Sequence, residues 1–257
     1  MDHKPPLDAP SRVVVVDDHP LMRCALRQML SAQADLEVIG EAADGQEAVE
    51  LCRRLHPDLV LMDVRMPRMD GLESTREIKR ELPRTIVLIL TASADTDDLS
   101  EALKAGAAGY VLKGAPITQT LDAIRKVLAG ESPLEQGLSM RLLMHLMEQA
   151  PKKEERAHKE ESLHDPLTPR EIKVLRLTAR GYTNQKIAHA LGISVSTVKK
   201  HLRGVVSKLG VSDRTQAAVR AVELGVLAEQ EGVTLLDSTS PDAHSRHLGV
   251  TKRTIWG

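Results

Sequence analysis

Aromatic side chains are nearly missing from this sequence of 257 residues. It contains no Phe, two Tyr and one Trp, although hydrophobic residues in total make up 42% of the chain. Because that apolar fraction is ordinary for a globular protein, aliphatic side chains must build the hydrophobic cores. The length is more than one average domain requires, so we expect two.

Long apolar runs are missing as well. No segment approaches the roughly 18 apolar residues of a membrane-spanning helix, and the N-terminal MDHKPPLDAP lacks the apolar core of a signal peptide. We therefore expect a cytoplasmic protein with no membrane partner. The two cysteines, Cys24 and Cys52, lie in helical patterns without metal-ligand spacing. They indicate reduced thiols rather than a disulfide or a zinc site.

The near-neutral net charge of -1 hides an uneven distribution. Residues 165–230 carry eleven Lys and Arg against five Asp and Glu, which makes this segment +6 and the remainder -7. A basic segment joined to an acidic partner is typical of a polyanion-binding domain attached to something else.

Short apolar runs alternate with amphipathic stretches in the first half of the chain. The predicted strands are 12–17, 36–41, 58–63, 85–91 and 109–112. The predicted helices lie near 20–32, 45–55, 71–82, 96–105 and 116–129. This alternation predicts an α/β fold with a doubly wound, five-stranded parallel sheet, and the common strand order is 2-1-3-4-5.

The second half predicts a small all-α domain. The segment LTPREIKVLRL has Thr168, Pro169 and Glu171 in the pattern of a capping box. A charged stretch before it has too few apolar residues to form a core. The expected divisions are an extension (1–11), the α/β domain (12–130), a helix within 134–149 and charged linker (131–164), the helical domain (165–228) and a tail (229–257).

Three carboxylates follow two strands that are expected to be neighbours. Four valines run directly into Asp17 and Asp18, and the third strand ends at Asp63. Neighbouring strands lie about 4.8 Å apart, so these side chains should crowd together at one edge of the sheet. Such carboxylates repel each other unless a cation lies between them, and Mg²⁺ is the ion that best fits oxygen ligands.

Two further strand ends supply Thr91 and Lys113. A hydroxyl, an ammonium and a metal ion around one carboxylate can neutralise a phosphoryl group during its transfer. Each residue also has a structural alternative. Asp17 or Asp18 could cap the following helix, and Asp63 could be a turn residue. Thr91 could be an ordinary hydroxyl at a strand end, and Lys113 a solvated surface charge. Their joint occurrence at successive strand ends favours a phosphoryl-transfer site. The sequence has no P-loop and no nucleophile elbow.

Residues 12–129 resemble a response-regulator receiver domain, through VVVVDDHP, MDVRMP, the strand-end Thr and LKG. The resemblance implies that Asp63 accepts phosphate from a sensor histidine kinase. It implies that Mg²⁺ is bound by Asp18, Asp63 and the Arg65 carbonyl, with Asp17 assisting through water. It further implies that Thr91 and Lys113 hold the phosphoryl oxygens and that Tyr110 is an aromatic switch.

Residues 183–210 contain two short helical patterns around Gly192. In the second, Val198, Leu202 and Val205 share one face, and the opposite face carries the cations Lys199, Lys200 and Arg203. This arrangement predicts a helix-turn-helix whose second helix enters the major groove of double-stranded DNA. The alternative is a solvated lysine-rich face.

Residues 165–228 also resemble the LuxR-type DNA-binding domain, through LTPRE, STVKxH and KLGVSDRTQAA. The resemblance implies that Lys199, Lys200 and Arg203 face DNA, that Asn184 and Lys186 contact the backbone, and that the last helix, 213–226, dimerises.

The combined prediction is a two-component response regulator of bacteria that binds promoter DNA, as a homodimer when phosphorylated or DNA-bound. A phosphohydrolase with an aspartyl nucleophile is disfavoured, because Arg65 stands where such enzymes place an acid/base carboxylate; we expect no enzyme activity. A constitutive DNA-binding protein with an inactive first domain is the other alternative, and the intact acidic set opposes it.

Overall fold

The computed structural model describes residues 9–92, 96–131 and 166–223. Most of the predicted N-terminal extension, the predicted helix within 134–149, the linker and the tail therefore lie outside the described residues. Within the described ranges, no helix combines the length and apolar character that a bilayer crossing requires.

The first domain contains one parallel sheet of five strands in the order β2-β1-β3-β4-β5. This confirms the predicted fold class and strand order. The strands are β1 (Ser11–Val16), β2 (Leu36–Ala42), β3 (Leu59–Asp63), β4 (Ile86–Thr91) and β5 (Gly109–Leu112).

Five helices alternate with these strands, within about one residue of the predicted bounds. They are α1 (Pro20–Ser31), α2 (Gly45–Leu55), α3 (Gly71–Glu81), α4 (Thr96–Ala105) and α5 (Ile117–Leu128). Asp44 caps α2 by accepting a hydrogen bond from the Glu47 amide, and Asp70 caps α3 in the same way through Glu73. Carboxylates at these positions satisfy amides that have no partner within the helix.

Both faces of the sheet are covered, which explains the run of valines in β1. Val13 and Val15 join a core cluster with Leu30 and Ile124, whereas Val14 and Val16 join a separate cluster on the other face. All four valines are fully buried. A central parallel strand is apolar at every position because neither of its faces meets water.

Residues 166–223 form four helices of the second domain. They are α6 (Pro169–Ala179), α7 (Asn184–Leu191), α8 (Val195–Leu209) and α9 (Arg214–Glu223). The capping box of Thr168 and Glu171 is present, and Gly192 ends α7 with a left-handed φ of 62°. Buried Val174, Ile187 and Val198 hold the helix-turn-helix together.

The two domains are in contact through α4 and α9. Leu99 and Leu103 of α4 share one apolar cluster with Ala217 and Ala221 of α9. The Gln216 side chain donates from Nε2 to the carbonyl oxygens of Leu103, at 3.1 Å, and Ala107, at 2.6 Å. We call this set of residues the interdomain contact.

Candidate functional site

The predicted phosphoryl-transfer residues converge at the carboxyl edge of the sheet. Val16 pairs with Met62, so the next residues along the two strands, Asp17 and Asp63, are neighbours. On the other side of β3, the Lys113 amide donates to the Thr91 carbonyl at 2.8 Å, just beyond the last paired residues of β4 and β5. Residues far apart in sequence are thereby brought together by strand register alone.

The carboxylates form a compact group of possible metal ligands. Oxygen atoms of Asp17, Asp18 and Asp63 and a ring nitrogen of His19 all lie within 4.8 Å of one another. Asp17 and Asp63 are buried, whereas Asp18 is half-buried and His19 is exposed. Ionised carboxylates are hard oxygen donors, so the chemistry of this set fits Mg²⁺.

Lys113 is the cation that these acids share. Its Nζ lies 2.6 Å from Asp63 Oδ2 and 2.8 Å from Asp17 Oδ2. The two aspartates would otherwise repel each other in a region with little water, and the ammonium between them offsets that repulsion. Lys113 therefore belongs to the pocket and not to the solvated surface.

The environment shifts the pKa values of both members of the Asp63–Lys113 pair. Burial raises the pKa of Asp63, and the nearby charge of Asp17 adds to this, although the hydrogen bond from Lys113 acts in the opposite direction. Burial alone would lower the pKa of Lys113, but its hydrogen bonds to Asp17 and Asp63 raise that pKa overall. The ammonium is thus firmly protonated beside a carboxylate with raised proton affinity.

The loop after β3 packs tightly against Asp63. The Arg65 amide donates a long hydrogen bond of 3.4 Å to Asp63 Oδ1, and the Gly71 amide donates to the Val64 carbonyl at 2.9 Å. A Cβ atom at Gly71 would lie 1.9 Å from the Asp63 carbonyl oxygen, so only glycine fits there. This close approach holds the main chain of Arg65 at the mouth of the pocket.

Thr91 and Tyr110 lie on β4 and β5, two adjacent strands of the sheet. Thr91 is buried at the end of β4. The half-buried ring of Tyr110 packs against the apolar cluster on one face of the sheet, and it also packs against the cluster of the interdomain contact. Tyr110 therefore links the core of the first domain to the apolar cluster of the interdomain contact.

The predicted DNA-contact residues of the second domain are not all presented in the same way. Lys186, Lys200 and Arg203 are exposed. Lys199 lies on α8 with Lys200 and Arg203, but its Nζ is 3.0 Å from Oε1 of Glu131, shortly after α5. Asn184 is buried, and its Oδ1 accepts a hydrogen bond from Arg214 at 2.5 Å. In this arrangement the Asn184 side chain binds Arg214 and does not face the surface.

Comparison with known proteins agrees with both halves of this description. The family model "Response regulator receiver domain" matches residues 13–125, and the model "Bacterial regulatory proteins, luxR family" matches residues 165–221. The chain is a LuxR-family response regulator.

Relatives share this organisation along most of the chain. The transcriptional regulatory protein LiaR of Bacillus subtilis is 44% identical over 211 residues, covering 82% of this chain and 96% of LiaR. The response regulator protein VraR of Staphylococcus aureus is 42% identical, with the same coverage. The crystal structure of the response regulator ChrA is 33% identical with a TM-score of 0.44, covering 85% of this chain and 99% of ChrA. The two family models and the regulators LiaR and VraR together show that this chain has the organisation of a transcription response regulator, a receiver domain followed by a LuxR-type DNA-binding domain.

Sequence reasoning missed several residues around the sites of this response regulator. His19 directly follows the acidic pair, and its Nδ1 lies 2.7 Å from Asp18 Oδ1. Glu131, Arg214 and Gln216 make contacts that depend on how the two domains meet, or on how α9 meets α7. The local sequence carries a signal only for His19, which is adjacent to the acids.

Proposed function

We propose that Asp63 accepts a phosphoryl group from a sensor histidine kinase, in a pocket that also binds Mg²⁺. One observation carries this proposal: the Asp63 carboxylate contacts Lys113, and one of its oxygens lies within 4.8 Å of carboxylate oxygens of Asp17 and Asp18. Asp17, Asp18, Asp63 and the Arg65 carbonyl are the proposed ligands. Bound Mg²⁺ would supply positive charge that offsets the charge of the phosphoryl oxygens.

The surrounding side chains have defined tasks in the transfer. An Asp63 carboxylate oxygen attacks phosphorus, the bond between phosphorus and the histidine nitrogen of the kinase breaks, and that nitrogen keeps the electron pair. Lys113 exchanges its contact with Asp63 for one with a phosphoryl oxygen, and the Thr91 hydroxyl donates to another. Asp63 must be ionised to attack, so the contact with Lys113 favours the reactive form.

Labelling with a small phosphodonor tests the acceptor. Wild type should take up one phosphoryl group from acetyl phosphate in the presence of Mg²⁺, as detected by intact mass, and Asp63→Asn should take up none. Asp122→Asn is a matched control, because this exposed carboxylate pairs with Lys126 on α5. Undiminished labelling of Asp63→Asn would remove the proposal.

Exposed apolar side chains beside the pocket support docking of the kinase there. Leu21 at the start of α1 is 87% exposed, and Ile117 at the start of α5 is 62% exposed. Each follows a strand end that supplies pocket residues, Asp17 and Lys113 respectively. Large exposed apolar residues that border a reaction site are suited to a protein partner that delivers the phosphoryl group.

We further propose that α8 reads the major groove of promoter DNA. Lys200 and Arg203 project away from the buried Val198, Leu202 and Val205, and Lys186 lies exposed on the preceding helix. Lys199 joins this surface once Glu131 is displaced. Asn184 is a weaker candidate for a backbone contact, because its amide oxygen accepts the hydrogen bond from Arg214.

The interdomain contact supports a route for control in a cytoplasmic regulator. Ala217 and Ala221 of α9 are fully buried inside the chain, so this helix cannot pair with a second copy through them in this arrangement. We propose that phosphorylation draws Thr91 and Tyr110 toward the pocket and weakens the packing of α4 on α9. Release would then free α9 for homodimerisation and Lys199 for DNA.

A further inference from the structure

The loop between β3 and α3, residues 64–70, contains an arginine in an unusual backbone conformation. Arg68 has a φ of 68°, in the left-handed region that bulky side chains rarely adopt. Strain of this kind persists only where surrounding contacts hold it in place, and it is concentrated at functional sites. The contacts of Arg68 therefore need an explanation.

The Arg68 guanidinium pairs with a buried carboxylate on another element. Its Nη2 contacts Oδ2 of Asp44, whose side chain is 1% exposed although that of Arg68 is 67% exposed. The other oxygen, Oδ1, accepts the hydrogen bond from the Glu47 amide that caps α2. Asp44 thus uses one oxygen to begin a helix and the other to hold the loop. A buried carboxylate is costly unless it is paired in this way.

Main-chain contacts beside the ion pair bring the same two elements together. The Gly45 amide donates to the Met69 carbonyl at 3.2 Å, and a Cβ atom at Gly45 would lie 2.6 Å from that carbonyl oxygen. The loop therefore lies directly against the first residues of α2. At its other end the loop carries Arg65, whose amide faces Asp63.

We propose that Arg68 is a positioning residue for the phosphorylation pocket. Its ion pair with Asp44 holds the loop in a strained form that keeps the main chain of Arg65 beside Asp63. This inference rests on the proposed role of Asp63 and of the Arg65 carbonyl in binding Mg²⁺. Without the pair, the strained residue would relax and the loop would carry the main chain of Arg65, whose carbonyl is a proposed Mg²⁺ ligand, away from Asp63. The affinity for Mg²⁺ then falls.

Two single substitutions remove the pair in different ways. Asp44→Asn removes the charge but keeps a side-chain oxygen that caps α2. Arg68→Ala removes the guanidinium but keeps a Cβ atom, so the residue at this position remains strained at positive φ. Arg68→Lys keeps the positive charge. Arg125→Gln is the control, because this arginine pairs with the exposed Asp35 on a different part of the domain.

The measurement is a Mg²⁺ titration of each full-length protein without a phosphodonor, followed by the amide chemical shifts of Asp63 and Arg65. We expect a Kd for Mg²⁺ at least threefold higher in Asp44→Asn and in Arg68→Ala, with no further loss in the double variant. Arg68→Lys should retain most of the affinity, and Arg125→Gln all of it. Wild-type affinity in both single variants would overturn the proposal.

Thermal unfolding separates positioning from a purely structural role. A lower Tm with unchanged Mg²⁺ affinity would also overturn the proposal, because the pair would then only stabilise the fold. If Arg68→Ala does not fold, Asp44→Asn decides the question alone. Failure of acetyl phosphate to label wild-type Asp63 would refute the proposed function, whereas the Mg²⁺ titration would still report on Arg68.

Discussion

Removing the amide of Gln216 should increase DNA binding by the unphosphorylated protein. In Gln216→Ala the two hydrogen bonds to the Leu103 and Ala107 carbonyl oxygens, at 3.1 and 2.6 Å, are lost. Both carbonyls can bind water when the domains separate, so each bond contributes a net stabilisation of roughly 0.5–1.5 kcal/mol to the contact. The equilibrium between joined and separated domains should therefore shift by about 1–3 kcal/mol.

This shift converts into a measurable change in affinity. The apparent Kd is the intrinsic Kd divided by the fraction of molecules whose domains are separated and able to bind DNA. As long as this fraction is small, a shift of about 2 kcal/mol toward the separated form increases the affinity roughly 30-fold. Fluorescence anisotropy can measure binding to a duplex selected in vitro with the phosphorylated protein. The phosphorylated variant should bind like phosphorylated wild type, because its domains are already released.

Gln119→Ala provides the control, since Gln119 is an exposed residue of α5. Equal affinity of unphosphorylated Gln216→Ala and wild type would refute the reasoning that the interdomain contact limits DNA binding. A change that persists equally after phosphorylation would refute it as well, because it would indicate an effect on the DNA-binding surface itself.

Three further predictions concern other parts of the molecule. Lys200→Ala should reduce discrimination between selected and random duplexes by about 1–3 kcal/mol, whereas Arg203→Ala should weaken binding to both duplexes alike and lower the salt dependence. If Lys199→Ala, Lys200→Ala and Arg203→Ala all bind DNA like wild type, the placement of α8 in the major groove is wrong. Gly71→Ala should destabilise the receiver by at least about 1–3 kcal/mol in urea denaturation, because its Cβ would lie 1.9 Å from the Asp63 carbonyl oxygen, whereas Gly114→Ala, with nothing within 4 Å, should not. Burial lowers the pKa of Lys79 from 10.5 to about 8, against the attraction of Asp213. Above this pKa the unfolded state binds more protons than the folded state, so the stability of the folded state increases with pH. Between about pH 7.5 and 9.5 the unfolding free energy of wild type should rise by about 2 kcal/mol relative to that of Lys79→Met. Parallel curves of unfolding free energy against pH for the two proteins would exclude this effect.

Local patterns were sufficient to predict most of the receiver. The valine run before Asp17 indicated a strand covered on both faces, and the alternation of strands and helices implied the parallel order that the structure confirms. Strand order in turn placed Asp17, Asp63 and Lys113 at one edge. These predictions succeed because each depends on a short segment and on a general rule of sheet topology.

Contacts between distant segments could not be predicted in the same way. The burial of Asn184 depends on Arg214, which lies 30 residues further along the chain. Likewise, the pairing of Lys199 with Glu131 requires knowledge of how two domains dock. Nothing in the periodicity of either segment encodes that arrangement, because exposed polar residues on a helix can face water, DNA or another domain with equal ease.

The convergence of four strand ends on one pocket also has a consequence for synthesis of the protein. Lys113 is encoded 50 residues after Asp63, and its strand β5 lies at one edge of the sheet. Domains fold largely as units while the chain grows at about 5–20 residues per second. A nascent chain that has exposed Asp63 but still holds Lys113 inside the ribosome thus has the aspartate without its ammonium partner. Under the proposed function, the receiver therefore acquires a complete acceptor pocket only after its last strand has emerged.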